Sequence, residues 1–140
     1  MVKFAELWEA IIVALKAVSA GLGIDESRIL KGAPDKTAPV PPPFLYVLCL
    51  PGEPIDGNAG RSVYCFAEIT VFCGMPATTE IKDSIINAVQ LAGRVKTALV
   101  NTDFAEDVSA PEFVDLNSDY TCMSVDFTSL YDSYEDLIDA

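Results

Sequence analysis

The sequence predicts an α+β fold in which a single mixed, mainly antiparallel β-sheet of about 4–5 strands packs against two long helices. The clearest evidence lies in residues 62–100, where a long strand pattern, a short turn and a long helix pattern follow one another. An amphipathic helix pattern opens the chain, and two strand patterns joined by a turn close it. The 140 residues are 51% apolar, which is enough for one domain with its own core. We therefore predict a single α+β domain at 1–131 and an acidic C-terminal end at 132–140, frayed or in a loose helical turn.

The long strand pattern alternates with a period of two, so its side chains point to two different faces. One face is wholly apolar and consists of Val63, Cys65, Ala67, Ile69, Val71 and Cys73. The other face mixes aromatic and polar residues, namely Tyr64, Phe66, Glu68, Thr70 and Phe72. This second face is more apolar than a solvent-facing surface usually is, so we expect it to be covered. The cover is either a second layer of the same chain or a neighbouring subunit, which makes these residues a candidate subunit interface.

The long helix pattern has apolar residues at spacings of three and four, and its stripe consists of Ile81, Ile85, Val89, Ala92, Val95 and Leu99. Residues 74–77 are predicted to form the turn before it, with Thr78 as the N-cap. We expect Ile85 and Val89 to pack on the strand face that carries Cys65 and Ile69.

Three further elements are predicted before residue 60. A helix over residues 3–20 has an apolar stripe with Trp8 as a core anchor, and it ends at the stop signal of Gly21 and Gly23. A short edge strand at 28–31 is followed by a proline-rich surface crossing at 32–43 and then by a buried central strand at 44–50. Residues 51–60 are dense in turn-forming types and are predicted to form a long loop between antiparallel strands.

The closing part of the chain is predicted to be an acidic connection at 101–110 and two strands at 112–116 and 120–131. Between and within these strands, four side chains match positions of a calcium-binding loop: Asp115, Asn117, Asp119 and Asp126. The loop's glycine position is Tyr120, and its final glutamate position is an aspartate. A hairpin turn with solvated acids is therefore favoured over a cation site at Asp115, Asn117 and Asp119, which remains an alternative.

The charge is concentrated at one end of the sequence. Residues 1–100 hold ten acidic and nine basic residues, whereas residues 101–140 hold eleven acidic residues and no basic one, which gives the net charge of −12. Specific nucleic-acid binding is not expected, because it depends on clusters of Lys and Arg. No apolar stretch is long enough for a transmembrane helix, so no membrane partner is expected. Charged residues interrupt the apolar N-terminal region, which favours a cytosolic protein over a signal peptide.

The chemistry-bearing residues predict no catalytic activity. The chain has four cysteines and no histidine, and none of the cysteines lies in a C-x-x-C pair. Buried free thiols are the favoured interpretation of Cys49, Cys65, Cys73 and Cys122. Because no nucleophile–base motif or ligand set is found, we expect no enzyme activity, no cofactor and no metal.

The order of these elements resembles that of tail terminator and related minor tail proteins of long-tailed bacteriophages and prophages. The residues that carry the resemblance are the amphipathic opening at 4–12, the strand–helix unit with its segments 66–72 and 81–89, and the closing strand at 120–127. The resemblance implies a non-catalytic, structural virion protein. It also implies assembly as a ring, expected to be a homohexamer, that caps the tail tube and meets the head-completion proteins. The expected partners are thus other copies of the chain, the tail tube protein and the head-completion proteins, with localisation in the virion tail and in the host cytoplasm during assembly.

In such a ring the acidic end would line or rim the bore, because a like-charged wall gives DNA no sites to bind. The candidate residues are Asp132, Glu135, Asp136 and Asp139. A head–tail connector of the same assembly is a related alternative that the sequence leaves open. An alternative of a different class is a small non-catalytic ligand-binding or regulatory domain that acts as a dimer, with the loop at 51–60 as a lid.

Overall fold

The computed structural model describes residues 2–34, 40–53 and 64–133. Two long helices, α1 (Phe4–Ala17) and α3 (Ile81–Val100), are accompanied by the single-turn helix α2 (Ser19–Leu22) and a 3₁₀ turn at Glu26–Arg28. The strands are β1 (Ile29–Lys31), β2 (Phe44–Leu50), β3 (Tyr64–Pro76), β4 (Glu112–Leu116) and β5 (Tyr120–Asp132). None of the helices in these ranges is long and apolar enough to cross a membrane.

The strands form one sheet with the order β1-β2-β3-β5-β4. Only β1 and β2 are parallel, whereas the three other pairings are antiparallel. The predicted α+β fold with a mixed, mainly antiparallel sheet and two long helices is confirmed. The strands predicted at 28–31, 44–50, 112–116 and 120–131 are present to within one residue, because their apolar runs are bounded by Pro, Gly or Asn turns.

The helices lie on one face of the sheet, and the main core fills the space between them and the strands. Buried residues of this core come from α1, α3 and the apolar faces of β2, β3 and β5: Leu7, Ile11, Leu15, Val47, Ile69, Val71, Leu91, Val95 and Val125 are examples. Trp8 packs against the core, and its indole N–H donates a hydrogen bond to the Val47 carbonyl oxygen at 3.0 Å. The first helix ends earlier than expected, at Ala17, and the chain then turns through α2 to Gly23, whose φ of 72° suits glycine.

The orientation of α3 corrects the predicted stripe over its first half. Ala92, Val95 and Leu99 are buried as expected, but Ile81, Ile85 and Val89 are 63%, 38% and 43% exposed. The core positions in this half are taken by Ser84, Ala88 and Leu91 instead. The prediction that Ile85 and Val89 pack on the strand was therefore wrong. Small side chains at 84 and 88 allow the helix backbone to lie close to the sheet, and a larger stripe would hold it away.

The start of α3 also differs from the prediction, because Thr78 is not its N-cap. The strand β3 continues through the predicted turn to Pro76, and the helix begins at Ile81 after Glu80. The Thr78 backbone N–H donates to the Ser84 hydroxyl at 2.8 Å, and the Thr78 hydroxyl donates to the Glu80 carbonyl oxygen at 2.6 Å. The first of these bonds ties the end of β3 to the first turn of α3 through the buried Ser84.

Candidate functional site

The face of the sheet opposite the helices is the candidate functional surface, and we call it the open face. It carries the five residues expected at a subunit interface, Tyr64, Phe66, Glu68, Thr70 and Phe72. The buried apolar residues of α1, α2 and α3 all belong to the core on the other side. In the register of the sheet, Glu68 is paired with Leu50 on one side and with Thr128 on the other, and Phe66 is paired with Leu130. Directly paired residues of antiparallel strands point to the same face, so these side chains are neighbours on the open face.

The open face is only partly accessible, and its two ends differ. At one end Tyr64 and Leu50 are 40% and 47% exposed, Glu68 is exposed, and Phe66 is half-buried. At the other end the half-buried Phe72 packs against a second, smaller core. The structure therefore brings the five predicted residues together on one surface, where Glu68 is the one carboxylate among them.

The smaller core at the Phe72 end is aromatic. Phe44 makes edge-to-face contacts with Tyr46 and Tyr120, with ring centroids 5.2 and 5.1 Å apart. Its ring lies over Gly74, where any Cβ atom would overlap it. Val40 and Leu30 pack against this cluster, so the chain itself covers this end of the open face.

In the middle of the open face, Thr70 and Asp126 are paired across β3 and β5. The Thr70 hydroxyl donates a hydrogen bond to the Asp126 carboxylate at 2.7 Å. A shallow depression of about 310 Å³ beside them is lined by Glu68, Asp107 and Thr128 among others. The acids of this depression do not form a metal-binding group, since no cluster of three or more His, Cys, Asp or Glu side chains suited to a metal occurs in residues 2–34, 40–53 and 64–133.

A second exposed apolar surface lies on the helix side of the molecule. We call it the α3 flank and define it by Ile81, Ile85 and Val89 together with Lys82 and Lys96. Lys82, Val89 and Lys96 are seven residues apart, so they lie on the same side of the helix. The sequence pattern alone misplaced this surface in the core. The available signal was the competing stripe of Ser84, Ala88 and Leu91, which has the same helical spacing, with small residues at positions 84 and 88.

An open groove lies between α2 and α3 on the helix side of the molecule. It has a volume of about 650 Å³ and is lined by Val18, Gly21, Leu22, Gln90, Gly93, Arg94, Thr97 and Ala98. Its polar side chains are those of Gln90, Arg94 and Thr97, and the Thr97 hydroxyl already donates to the Gly93 carbonyl oxygen at 3.0 Å. The predicted lid at 51–60 does not line this groove with any residue that the structure describes, and residues 54–60 lie outside the described ranges.

The residues that matched a calcium loop form the turn between β4 and β5. The Asn117 side-chain oxygen accepts hydrogen bonds from the backbone N–H groups of Asp119 and Tyr120, at 2.8 and 2.9 Å. The Asn117 amide donates to the Asp115 carboxylate at 3.2 Å, whereas Asp126 lies within β5 and is bonded to Thr70. The Asn117 side chain therefore stabilises a hairpin turn, which is the turn that the favoured interpretation predicted.

The four cysteines are free and buried, as predicted. Burial raises the pKa of the Cys49 thiol to about 11. Burial and the nearby carboxylate of Asp115 raise the pKa of Cys122 to about 12, and burial also raises the pKa of Cys73. A thiol held in its neutral form is a poor nucleophile, so Cys49, Cys73 and Cys122 are poorly suited to react as thiolates.

Of the proposed acidic bore residues, only Asp132 lies in a described range. It is the last residue of β5, and its backbone N–H donates to the Val2 carbonyl oxygen at 2.8 Å. Asp132 is therefore part of the sheet and pairs with Tyr64 at the accessible end of the open face. Glu135, Asp136 and Asp139 lie outside the described residues.

The comparisons with known proteins add no relative from which a function could be carried over: no family model matches the chain, and no curated protein matches its sequence.

Proposed function

We propose that this chain is a structural protein of a bacteriophage or prophage tail, which assembles as a ring at the end of the tail tube. The ring, expected to be a hexamer, terminates the tail and joins it to the head-completion proteins. This proposal extends the resemblance to tail terminator proteins, and it places the chain in the virion tail and, during assembly, in the host cytoplasm. It assigns the chain no catalytic role.

The observation that carries the proposal is the presence of two apolar surfaces on opposite layers of one small domain. The open face lies on the sheet side, and the α3 flank lies on the helix side. A closed ring of identical subunits needs two different, mutually complementary surfaces on every subunit. Large exposed apolar residues that form a continuous surface are otherwise unfavourable on a monomer.

The first test is the mass of the purified chain in solution, measured by native mass spectrometry at several concentrations. We expect one closed oligomer, of six subunits, and rings in negative-stain electron micrographs. Tubes of the tail tube protein from the same phage or prophage should acquire these rings at one end and stop growing. A chain that stays monomeric or dimeric alone and leaves tube length unchanged would contradict the proposal.

The groove between α2 and α3 supports a second candidate, a small ligand-binding or regulatory domain acting as a dimer. Its volume of about 650 Å³ is in the range of small-molecule sites, and Arg94 and Gln90 supply polar groups at its wall. This candidate predicts a mass that does not exceed two subunits. It also predicts that Arg94→Ala weakens binding of an anionic ligand without changing the oligomeric state.

A further inference from the structure

The α3 flank differs in charge from the rest of the molecule. The helix carries three basic residues, Lys82, Arg94 and Lys96, and one acidic residue, Asp83, in a chain whose net charge is −12. None of the three basic side chains forms an ion pair with any residue in the described ranges. The flank therefore presents the exposed Ile85 and Val89 between Lys82, which is exposed, and Lys96, which is half-buried.

The open face has the opposite character. Strands β2, β3 and β5 contain no basic residue, and their open face carries Glu68, Asp126 and Asp132 among the apolar groups. Glu68 is exposed and has no hydrogen-bond or ion-pair partner in the part of the chain that the structure describes. The open face is thus an apolar surface with acidic residues, and the α3 flank is an apolar surface with lysines, so the two are complementary in charge.

The two surfaces also agree in length. From Lys82 to Lys96 the helix rises by about 21 Å. From Asp126 to Asp132 the strand β5 rises by about 20 Å, and Glu68 on the neighbouring strand lies between the two. A helix laid along the strands would place its lysines near both ends of the acidic surface and its isoleucine and valine side chains over Leu50, Tyr64 and Phe66.

We propose that the α3 flank of one copy docks on the open face of the next copy. This inference rests on the proposed ring, and it names the two surfaces that form the contact. Each subunit would use the flank on one side and the open face on the other, which is the head-to-tail arrangement that closes into a ring. A second copy would cover the Tyr64 end of the open face, over which no helix or strand of the described ranges packs.

The charge distribution favours this contact over a symmetric dimer through α3. In a helix-to-helix dimer the lysines of the two flanks would lie close together. Asp83 would not neutralise them, because it is turned by about 100° around the helix from Lys82 and lies outside the flank. Like charges at such short range are repulsive. On the open face the same lysines meet carboxylates.

A mixing experiment tests the head-to-tail contact directly. The first variant carries Ile85→Asn and Val89→Asn, which remove the apolar contacts of the α3 flank. The second carries Leu50→Asn and Tyr64→Asn, which remove those of the open face. All four positions are at least 38% exposed, and none of the changes alters the net charge. We expect each variant alone to be monomeric and an equal mixture to form dimers and nothing larger, because only one complementary pair of surfaces remains.

The outcomes separate the failure of this inference from the failure of the ring proposal. A wild-type chain that oligomerises while the mixture stays monomeric would overturn the docking alone, as would dimers of the open-face variant by itself. A wild-type chain that is monomeric at all concentrations, with and without tail tubes, would overturn both proposals.

A pair of charge variants tests the contact without touching its apolar residues. Lys82→Glu should lower the oligomer fraction at low salt, and Glu68→Lys should do the same, because each places like charges in the contact. Lys16→Glu is the matched control, since it changes the net charge by the same amount on α1, outside both surfaces. Equal effects of Lys82→Glu and Lys16→Glu would show that net charge alone is responsible, which would overturn the docking.

Discussion

The two faces of the sheet are built from alternate residues of the same strands, yet they have different roles. On the helix side, Cys65, Ala67, Ile69, Val71 and Cys73 of β3 are at most 4% exposed. On the open side, Tyr64 and Glu68 of the same strand are exposed and Phe66 is half-buried. The helix side therefore forms the main core of the monomer, whereas the open side leaves Tyr64 and Glu68 accessible, where we propose that a second copy docks. The following predictions test this division.

The largest effect is expected where α3 meets the sheet. Leu91 is fully buried, so Leu91→Ala should lower the free energy of unfolding by about 2–5 kcal/mol through lost contacts and a cavity. Ile85 is 38% exposed on the other side of the same helix, and Ile85→Ala should cost about 0.5 kcal/mol. Urea unfolding of both variants measures the difference. Similar losses of unfolding free energy for the two variants would contradict the placement of Leu91 in the core and of Ile85 outside it.

A smaller effect is expected at the covered end of the open face, where the Phe44 ring lies over Gly74. Gly74→Ala should destabilise the protein by about 1–3 kcal/mol, because the added methyl group overlaps the ring. The matched control is Gly93→Ala in α3, where a Cβ atom has no neighbour within 4 Å. That variant should gain about 0.5–1 kcal/mol from the better helix propensity of alanine. Thermal unfolding of both variants checks the signs, and a stabilising Gly74→Ala would contradict the packing.

The buried thiols predict a loss of stability at alkaline pH. The unfolded thiols ionise above about pH 8.5, whereas burial raises the pKa values of Cys49 and Cys122 to about 11 and 12. The free energy of unfolding is therefore unaffected by the thiols below about pH 8.5. It falls as the pH rises towards the thiol pKa values of the folded protein, by up to about 1.4 kcal/mol per pH unit for each thiol.

Urea midpoints between pH 8 and 10 measure this loss, with Cys49→Ala as the comparison. The variant should lose less stability over this range than the wild type, because it lacks one ionising thiol. Equal slopes for the two proteins would show that the Cys49 thiol is not shielded from water.

The smallest effect on stability is expected at Glu68. Glu68→Gln removes one exposed charge from the open face and should change the free energy of unfolding by at most about 0.5 kcal/mol. Its effect should appear in assembly, where sedimentation velocity would show a smaller oligomer fraction at low salt. A large loss of monomer stability would place Glu68 in a structural role instead.

The sequence alone was sufficient to predict the helices and strands that are marked by a pattern of neighbouring residues. Strand β2 is a run of apolar residues between prolines, and β3 alternates from Tyr64 to Cys73, so both were predictable. The continuation of β3 to Pro76 was not, because residues 74–77 have the composition of a turn. The rotation of α3 was not predictable, because two stripes satisfy the same helical period. Ile81, Ile85 and Val89 form one stripe, and Ser84, Ala88 and Leu91 form the other. Only tertiary packing decides between such stripes, since it depends on how closely the helix approaches the sheet.

The same limit applies to the candidate site. The alternation in β3 placed Tyr64, Phe66, Glu68, Thr70 and Phe72 on one face, and that placement needed no tertiary information. The α3 flank could be recognised only after its residues were found outside the core. The difference between the ends of the open face depends on Phe44, Tyr120 and Val40, which are distant in sequence from β3.

Hydroxyl-radical footprinting of the assembling chain tests the central claim most directly. Oxidation rates of Tyr64 and Phe66 on the open face and of Ile85 on the α3 flank are compared between dilute monomer and assembled protein. We predict severalfold protection at all three positions on assembly, whereas Phe113, which is 60% exposed on β4, keeps its rate. Assembly that protects Phe113 and leaves Tyr64, Phe66 and Ile85 unchanged would show that the open face is not a subunit interface.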